Sequence, residues 1–200
     1  MVSLSRVLAS ISLVLAATLS IGQSQAPSAP SPSAAVDLAT VVKQQFGSTF
    51  TIPKGYPTPL ITADFDGDGI EDVAIVADSK EPLPDSYEFK YTVADPYNSY
   101  FGFGNPAVTS SFNTSDPKRN HALLVIFGAG ADSWHAATPK AKFVMINVPF
   151  DSIEVGRMLV KKNKPPIFVI KTRESQIMDS AVFWDVKKKK WKWEPGNTVN

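Results

Sequence analysis

Apolar positions along this chain change their spacing more than once, and each change marks a different element. Residues 7–21, VLASISLVLAATLSI, form an uncharged apolar run just after Arg6. A short basic segment followed by such a run reads as a secretory signal, and the run is shorter than the roughly 20 apolar residues a membrane span needs. The expectation is a signal at 1–26, removed on export, with Ser24-Gln25-Ala26 or the neighbourhood of Gly22 as the cleavage site and no membrane span afterwards. Residues 26–35, APSAPSPSAA, carry no period and have nothing to bury, as in a linker. Leu38, Val41, Val42 and Phe46 then recur at helical spacing, with Ser33 or Asp37 placed to cap the start and Gly47 to end it. They predict one short amphipathic helix.

After Gly47 the period shortens. Residues 60–63, 73–77, 122–127, 143–148, 167–170, 181–184 and 191–193 are short runs, mostly β-branched or aromatic, bounded by Gly, Pro, Asp or Asn. They predict a single domain over residues 36–200 that is mainly β, of the α+β class: an antiparallel sheet domain with one N-terminal helix. The connection 78–120 is much longer than the about 12–15 residues that structureless loops usually reach. Its first half carries Tyr87, Phe89, Tyr91, Tyr97, Tyr100, Phe101 and Phe103. YEFKYTV (87–93) alternates well enough to predict a further strand, and DPYNSYFGFGNP (95–106) has the Gly, Asn and Pro of an ordered, turn-rich segment. Two roles suit the rings of that segment. They complete the core, or Tyr97, Tyr100, Phe101 and Phe103 form a surface for a protein or glycan partner.

Composition narrows the picture. Of the 200 residues 44% are hydrophobic, enough for the core of one domain. Cysteine is absent, which excludes disulfides and a cysteine-linked lipid even in an exported protein. Loss of Arg6 with the signal would leave Lys plus Arg equal to Asp plus Glu at 19 each, so the total charge implies no nucleic-acid partner. The charge is unevenly spread: residues 64–95 hold ten acidic and two basic side chains, and 161–192 hold ten basic and three acidic.

The acidic end contains the most informative stretch, DFDGDGIED (64–72). Counting Asp64 as position 1, carboxylates fall at 1, 3, 5 and 9 as Asp64, Asp66, Asp68 and Asp72, with Gly69 at 6 and the Ile70 carbonyl at 7. This is the ligand spacing of a calcium loop, in which alternate residues turn oxygens inward and a glycine permits the bend. An all-oxygen set suits a hard cation, and no His or Cys lies near in sequence. Two carboxylates about 4 Å apart repel by roughly 4 kcal/mol at an effective dielectric near 20, so four in one loop require a counter-charge. Phe65 and the Ile70 side chain are expected to face the core.

Several families share the beginning of this motif, and residues 73–77 separate them. A helix-loop-helix site needs a bidentate Glu at position 12, where this chain has Ile75 in a strand-like run, and a dockerin-type loop also passes into a helix. The opening ITADFDGD also resembles aspartate-nucleophile phosphatases of the haloacid dehalogenase type. That resemblance implies Asp64 as nucleophile and Asp66 as acid/base, but it needs alternating helices and strands. The full pattern DxDxDGxxD running directly into a strand resembles the FG-GAP or VCBS repeat, the calcium-binding blade unit of integrin-like propellers. Residues 58–77 carry that resemblance, and LLVIFGAGADSW (123–134) is similar to the strand and turn of such a blade. It implies calcium bound by Asp64, Asp66, Asp68, Asp72 and the Ile70 carbonyl, in a sheet domain resembling one or two blades. A propeller takes at least about four blades of four strands, and no second DxDxDG occurs here. The chain is thus similar to small exported bacterial proteins with a single unit, and an adhesive role does not transfer.

Other chemistry is sparse. His121 begins an apolar strand, His135 follows Trp134, and Ser110 and Ser111 lack a nucleophile-elbow pattern, so no catalytic constellation is predicted. KKKKWKWE (187–194) reads as a strand after a hairpin turn near 185–188, with Trp191 and Trp193 on the core face and Lys190 and Lys192 on the other. The run 161–164 before Pro165-Pro166 reads as an exposed loop. The expected function is an exported, periplasmic or extracellular, calcium-stabilised binding or envelope-associated module. A phosphatase and a purely structural protein stand as alternatives.

Overall fold

The computed structural model describes residues 37–79, 84–103, 121–175 and 178–196, all within the unit Val36–Asn200. The expected signal, the linker, Ser33, Ser110, Ser111 and residues 104–106 of the aromatic segment lie outside the described residues.

Helix α1 (Leu38–Phe46) forms where the helical spacing places it. The Asp37 side chain accepts from the Ala39 N–H, and Gly47, at φ 94°, stops the helix while its N–H still reaches the Lys43 carbonyl. Val42 and Phe46 are its buried face. The strands are β1 (Leu60–Ala63), β2 (Asp72–Asp78), β3 (Thr92–Ala94), β4 (His121–Phe127), β5 (Ala141–Met145), β6 (Ser152–Met158), β7 (Ile167–Glu174), β8 (Met178–Asp185) and β9 (Lys190–Pro195). They make a five-stranded sheet ordered β1-β2-β4-β5-β3 and a four-stranded sheet ordered β6-β7-β8-β9. All pairings are antiparallel except β3 with β5. The fold is mainly β, of the α+β class.

The five-stranded sheet is buried on both faces. On one, Val73, Ile75, Ala77, Leu124 and Ile126 meet Val42 and Phe46 of α1, Phe50 and Trp134. On the other, Ala74, Val76, Leu123, Val125 and Met145 meet Ile153, Ile170, Val182, Trp191 and Trp193 of the second sheet. Two-sided burial is why VAIVA and ALLVIF are unbroken apolar runs, where a half-exposed strand would alternate. Each large side chain so buried contributes about 1.5–3 kcal/mol. The second sheet is an up-and-down meander of four strands, the size of one propeller blade. The first departs from that plan because β3 adds to its edge parallel to β5.

Four details differ from expectation. Residues 87–93 are not a strand: after a 3-10 turn at Pro84–Ser86, the Phe89 and Tyr91 N–H groups donate to the Asp85 and Ser86 carbonyls, and only Thr92–Ala94 is extended. The strand expected to reach residue 148 ends at Met145, two residues before Asn147 takes a left-handed φ of 61° that breaks the extended run. Strand β6 is an addition to the expected set. A second helix, α2 (Pro96–Tyr100), occupies the turn-rich aromatic segment.

Candidate metal centre

Residues 64–71 join β1 to β2, which pair from Leu60↔Ile75 to Ala63↔Asp72. The loop is shaped by its own carboxylates. Asp64 Oδ1 accepts from the N–H groups of Gly67 (2.7 Å) and Asp68 (3.0 Å), and its Oδ2 from Gly69 (2.9 Å). Gly67 and Gly69 have φ of 79° and 87°, which lets the backbone curl around Asp64 at no cost from a side chain. Asp66 Oδ1 accepts from the Asp68 N–H (3.1 Å), and Asp68 Oδ1 from the Ile70 N–H (2.8 Å).

Asp72, the first residue of β2, is 1% exposed and anchors the loop from beneath. Its Oδ2 accepts from the N–H groups of Phe65 (2.8 Å) and Asp66 (3.3 Å), and its Oδ1 from Gly128 (2.8 Å), just past the end of β4. Burial pushes its carboxyl up to about 7, against the pull of those N–H donors and with a smaller push from Asp66. Gly128 lies so close that a Cβ there would fall 2.4 Å from the Glu71 carbonyl and 2.8 Å from Ile70 Cγ2. Only glycine fits, which gives the FG turn a packing reason. Glu71 braces the loop from outside, accepting from Thr62 Oγ1 (3.1 Å) and Trp134 Nε1 (3.2 Å).

Asp64, Asp66 and Asp72 each offer an oxygen, and the three lie within 4.8 Å of one another. This all-carboxylate set fits a hard cation, since both histidines are engaged elsewhere and cysteine is absent. Asp68 stands outside the trio. Its Oδ2, like that of Asp66, lies 2.6 Å from Lys140 Nζ, and this bond holds Asp68 below the ordinary carboxylate range. The same two bonds, that to Asp66 first, raise Lys140 above the usual lysine value. Phe65 is buried in the core as expected, whereas Ile70 is half-buried at the rim beside Gly128.

The aromatic segment lies elsewhere. Asp95, 2% exposed, caps α2 by accepting from the Asn98 N–H, and its Oδ2 also accepts from Asn98 Nδ2 and Asn147 Nδ2, each 2.7 Å. Helix α2 docks on β9. The rings of Tyr97, Tyr100 and Phe101 stand 4.9, 5.1 and 6.1 Å from Trp193, whose Nε1 donates to Ser180 Oγ (3.0 Å). Tyr97 is half-buried, while Tyr100 and Phe101 are 51% exposed and Phe103 75%. Tyr97 thus helps to cover the core, and Tyr100, Phe101 and Phe103 are exposed.

Lys140 escaped the sequence reading because nothing local marks it. The cross-strand pair of His121 Nδ1 with Asp78 Oδ1 escaped for the same reason, depending on the β2–β4 register. His135 stacks on Trp134 at 3.6 Å between centroids. No protein-family model, curated protein or solved structure matches the chain.

Proposed function

We propose that this chain is an exported β domain that binds calcium in the loop 64–72 and serves as a binding or envelope-associated module. The observation that carries the reading is the convergence of Asp64, Asp66 and Asp72 oxygens within 4.8 Å on a loop whose backbone already curls around them. Asp64, Asp66 and Asp72 would hold the ion, with Asp68 and the Ile70 carbonyl completing the shell. The ion supplies charge compensation and a tie between β1 and β2, not chemistry. For extracellular modules with dissociation constants of about 10⁻⁴ M, about 1 mM calcium stabilises the fold by roughly 1.4 kcal/mol. The exposed rings of Tyr100, Phe101 and Phe103, next to Tyr97 on Trp193, are the proposed contact surface for a protein or glycan partner.

Isothermal calorimetry of the full chain tests the ion: calcium binds the wild type, and Asp64→Ala with Asp68→Ala abolishes it. Heat-silent wild-type titrations with unchanged melting would end the reading. The phosphatase alternative gains no support from the fold around Asp64, where β2 returns antiparallel to β1 without an intervening helix.

A further inference from the structure

Lys140 sits one residue before β5, and the β4–β5 hairpin carries it to the aspartate loop, 74 residues from Asp66 in sequence. Its own N–H donates to the Phe127 carbonyl (3.0 Å), which fixes the backbone from which the side chain reaches. The ammonium bridges Asp66 Oδ2 and Asp68 Oδ2 at 2.6 Å each. The Asp66 side chain is 4% exposed and that of Lys140 is 47% exposed. The acceptor is thus fixed inside the fold while the donor has an open path to water. Lys142, the next lysine along, does not share the task, because its Nζ donates to the Gln45 carbonyl at 2.6 Å. A cation that takes Asp66 would stand within a few ångströms of the Lys140 ammonium, where like charges repel, and the flexible lysine stem lets that ammonium leave.

We propose that Lys140 is a tethered counter-ion of the loop: it holds Asp66 and Asp68 in the absence of a divalent cation and is displaced by a cation binding Asp64, Asp66 and Asp72. This rests on the calcium reading above. The lysine acts on both states. It keeps the carboxylates of the ion-free loop from spreading, and it weakens ion binding because its two ion pairs break first. Removing its charge therefore tightens calcium binding while destabilising the ion-free fold.

The experiment compares the full-length wild type, Lys140→Met and Lys140→Arg by calorimetric calcium titration and by melting in a chelator. Lys140→Met keeps the aliphatic stem and is expected to bind calcium at least about tenfold more tightly, while melting lower without it. Lys140→Arg keeps the charge and binds no more tightly than the wild type. In the wild type, the lysine Nζ resonance assigned to Lys140 by its absence in Lys140→Arg is visible without calcium and lost at saturation. Equal or weaker binding by Lys140→Met, or an ammonium resonance unchanged at saturation, overturns the proposal and leaves the calcium reading standing. No calcium binding by any of the three chains overturns both.

Discussion

Residues 64–71 and 95–103 each begin with an aspartate that gathers backbone N–H groups: Asp64 takes those of Gly67, Asp68 and Gly69, and Asp95 takes that of Asn98. Past that shared opening they are held differently. The first is closed by charge, with four carboxylates arranged against N–H dipoles and one ammonium. The second is closed by rings, with Tyr97 and Tyr100 packed edge-on against Trp193. The acidic loop should therefore respond to pH and ions, and the aromatic segment to loss of contact area. A residue spacing can specify the first kind of closure because its partners are near in sequence. The second depends on a tryptophan supplied by the last strand.

The largest expected effect breaks the aromatic side. Trp193→Ala removes the platform under α2 and leaves Ser180 without its indole donor, costing about 3–5 kcal/mol in urea unfolding. Calcium affinity should not follow it. Next comes Asp72→Ala, which leaves the N–H groups of Phe65, Asp66 and Gly128 without their acceptor and costs about 3 kcal/mol, with calcium binding lost. Asp72→Asn, which keeps an acceptor, should lose less stability.

A smaller effect separates the loops by pH. Asp72 in the fold titrates at about 7, above its ordinary 3.8, so the folded state holds a proton the unfolded chain has released. Its contribution is full below about pH 4 and falls as pH rises towards 7. In a chelator the urea midpoint should drop between about pH 4 and 7, and this slope should vanish in Asp72→Asn. Calcium should reverse the slope, since the ion takes the ionised carboxylate. Carboxylates held low by their partners, Asp68 by Lys140 and Asp179 by Arg173, lose their contribution only as pH falls below the usual range. The smallest effect is Phe103→Ser. At 75% exposure it should shift stability by less than about 0.5 kcal/mol, while reducing recovery of a partner from envelope extracts if the rings are a contact surface.

Elements written by short-range rules were legible in the sequence. Asp37 and Gly47 bound α1 through one cap bond and one left-handed residue. The turn 186–189 forms because Asp185 accepts from the Lys187 and Lys188 N–H groups, which sets Trp191 and Trp193 inward. Elements decided from afar were misread or missed. Residues 87–93 alternate like a strand, yet Asp85 serves the Phe89 N–H and the Thr49 hydroxyl at once and winds the segment into a turn. In β6, Gly156 and the exposed Glu154 and Arg157 dilute the strand signal, and the register with β7 supplies what the pattern lacks. In the loop itself the trio of aspartates was legible, but Lys140 was not, because a hairpin register delivers it.

The bond from Gly128 to Asp72 spans 56 residues, and that span has a kinetic meaning. The curl around Asp64 uses neighbours and can form as soon as β1 and β2 meet. Asp72 receives its third N–H only once β4 has docked beside β2, a contact of long loop closure and therefore late in folding. A cation that uses Asp72 thus recognises a geometry completed near the end of the reaction. It should lengthen the lifetime of the native state far more than it shortens the time needed to reach it.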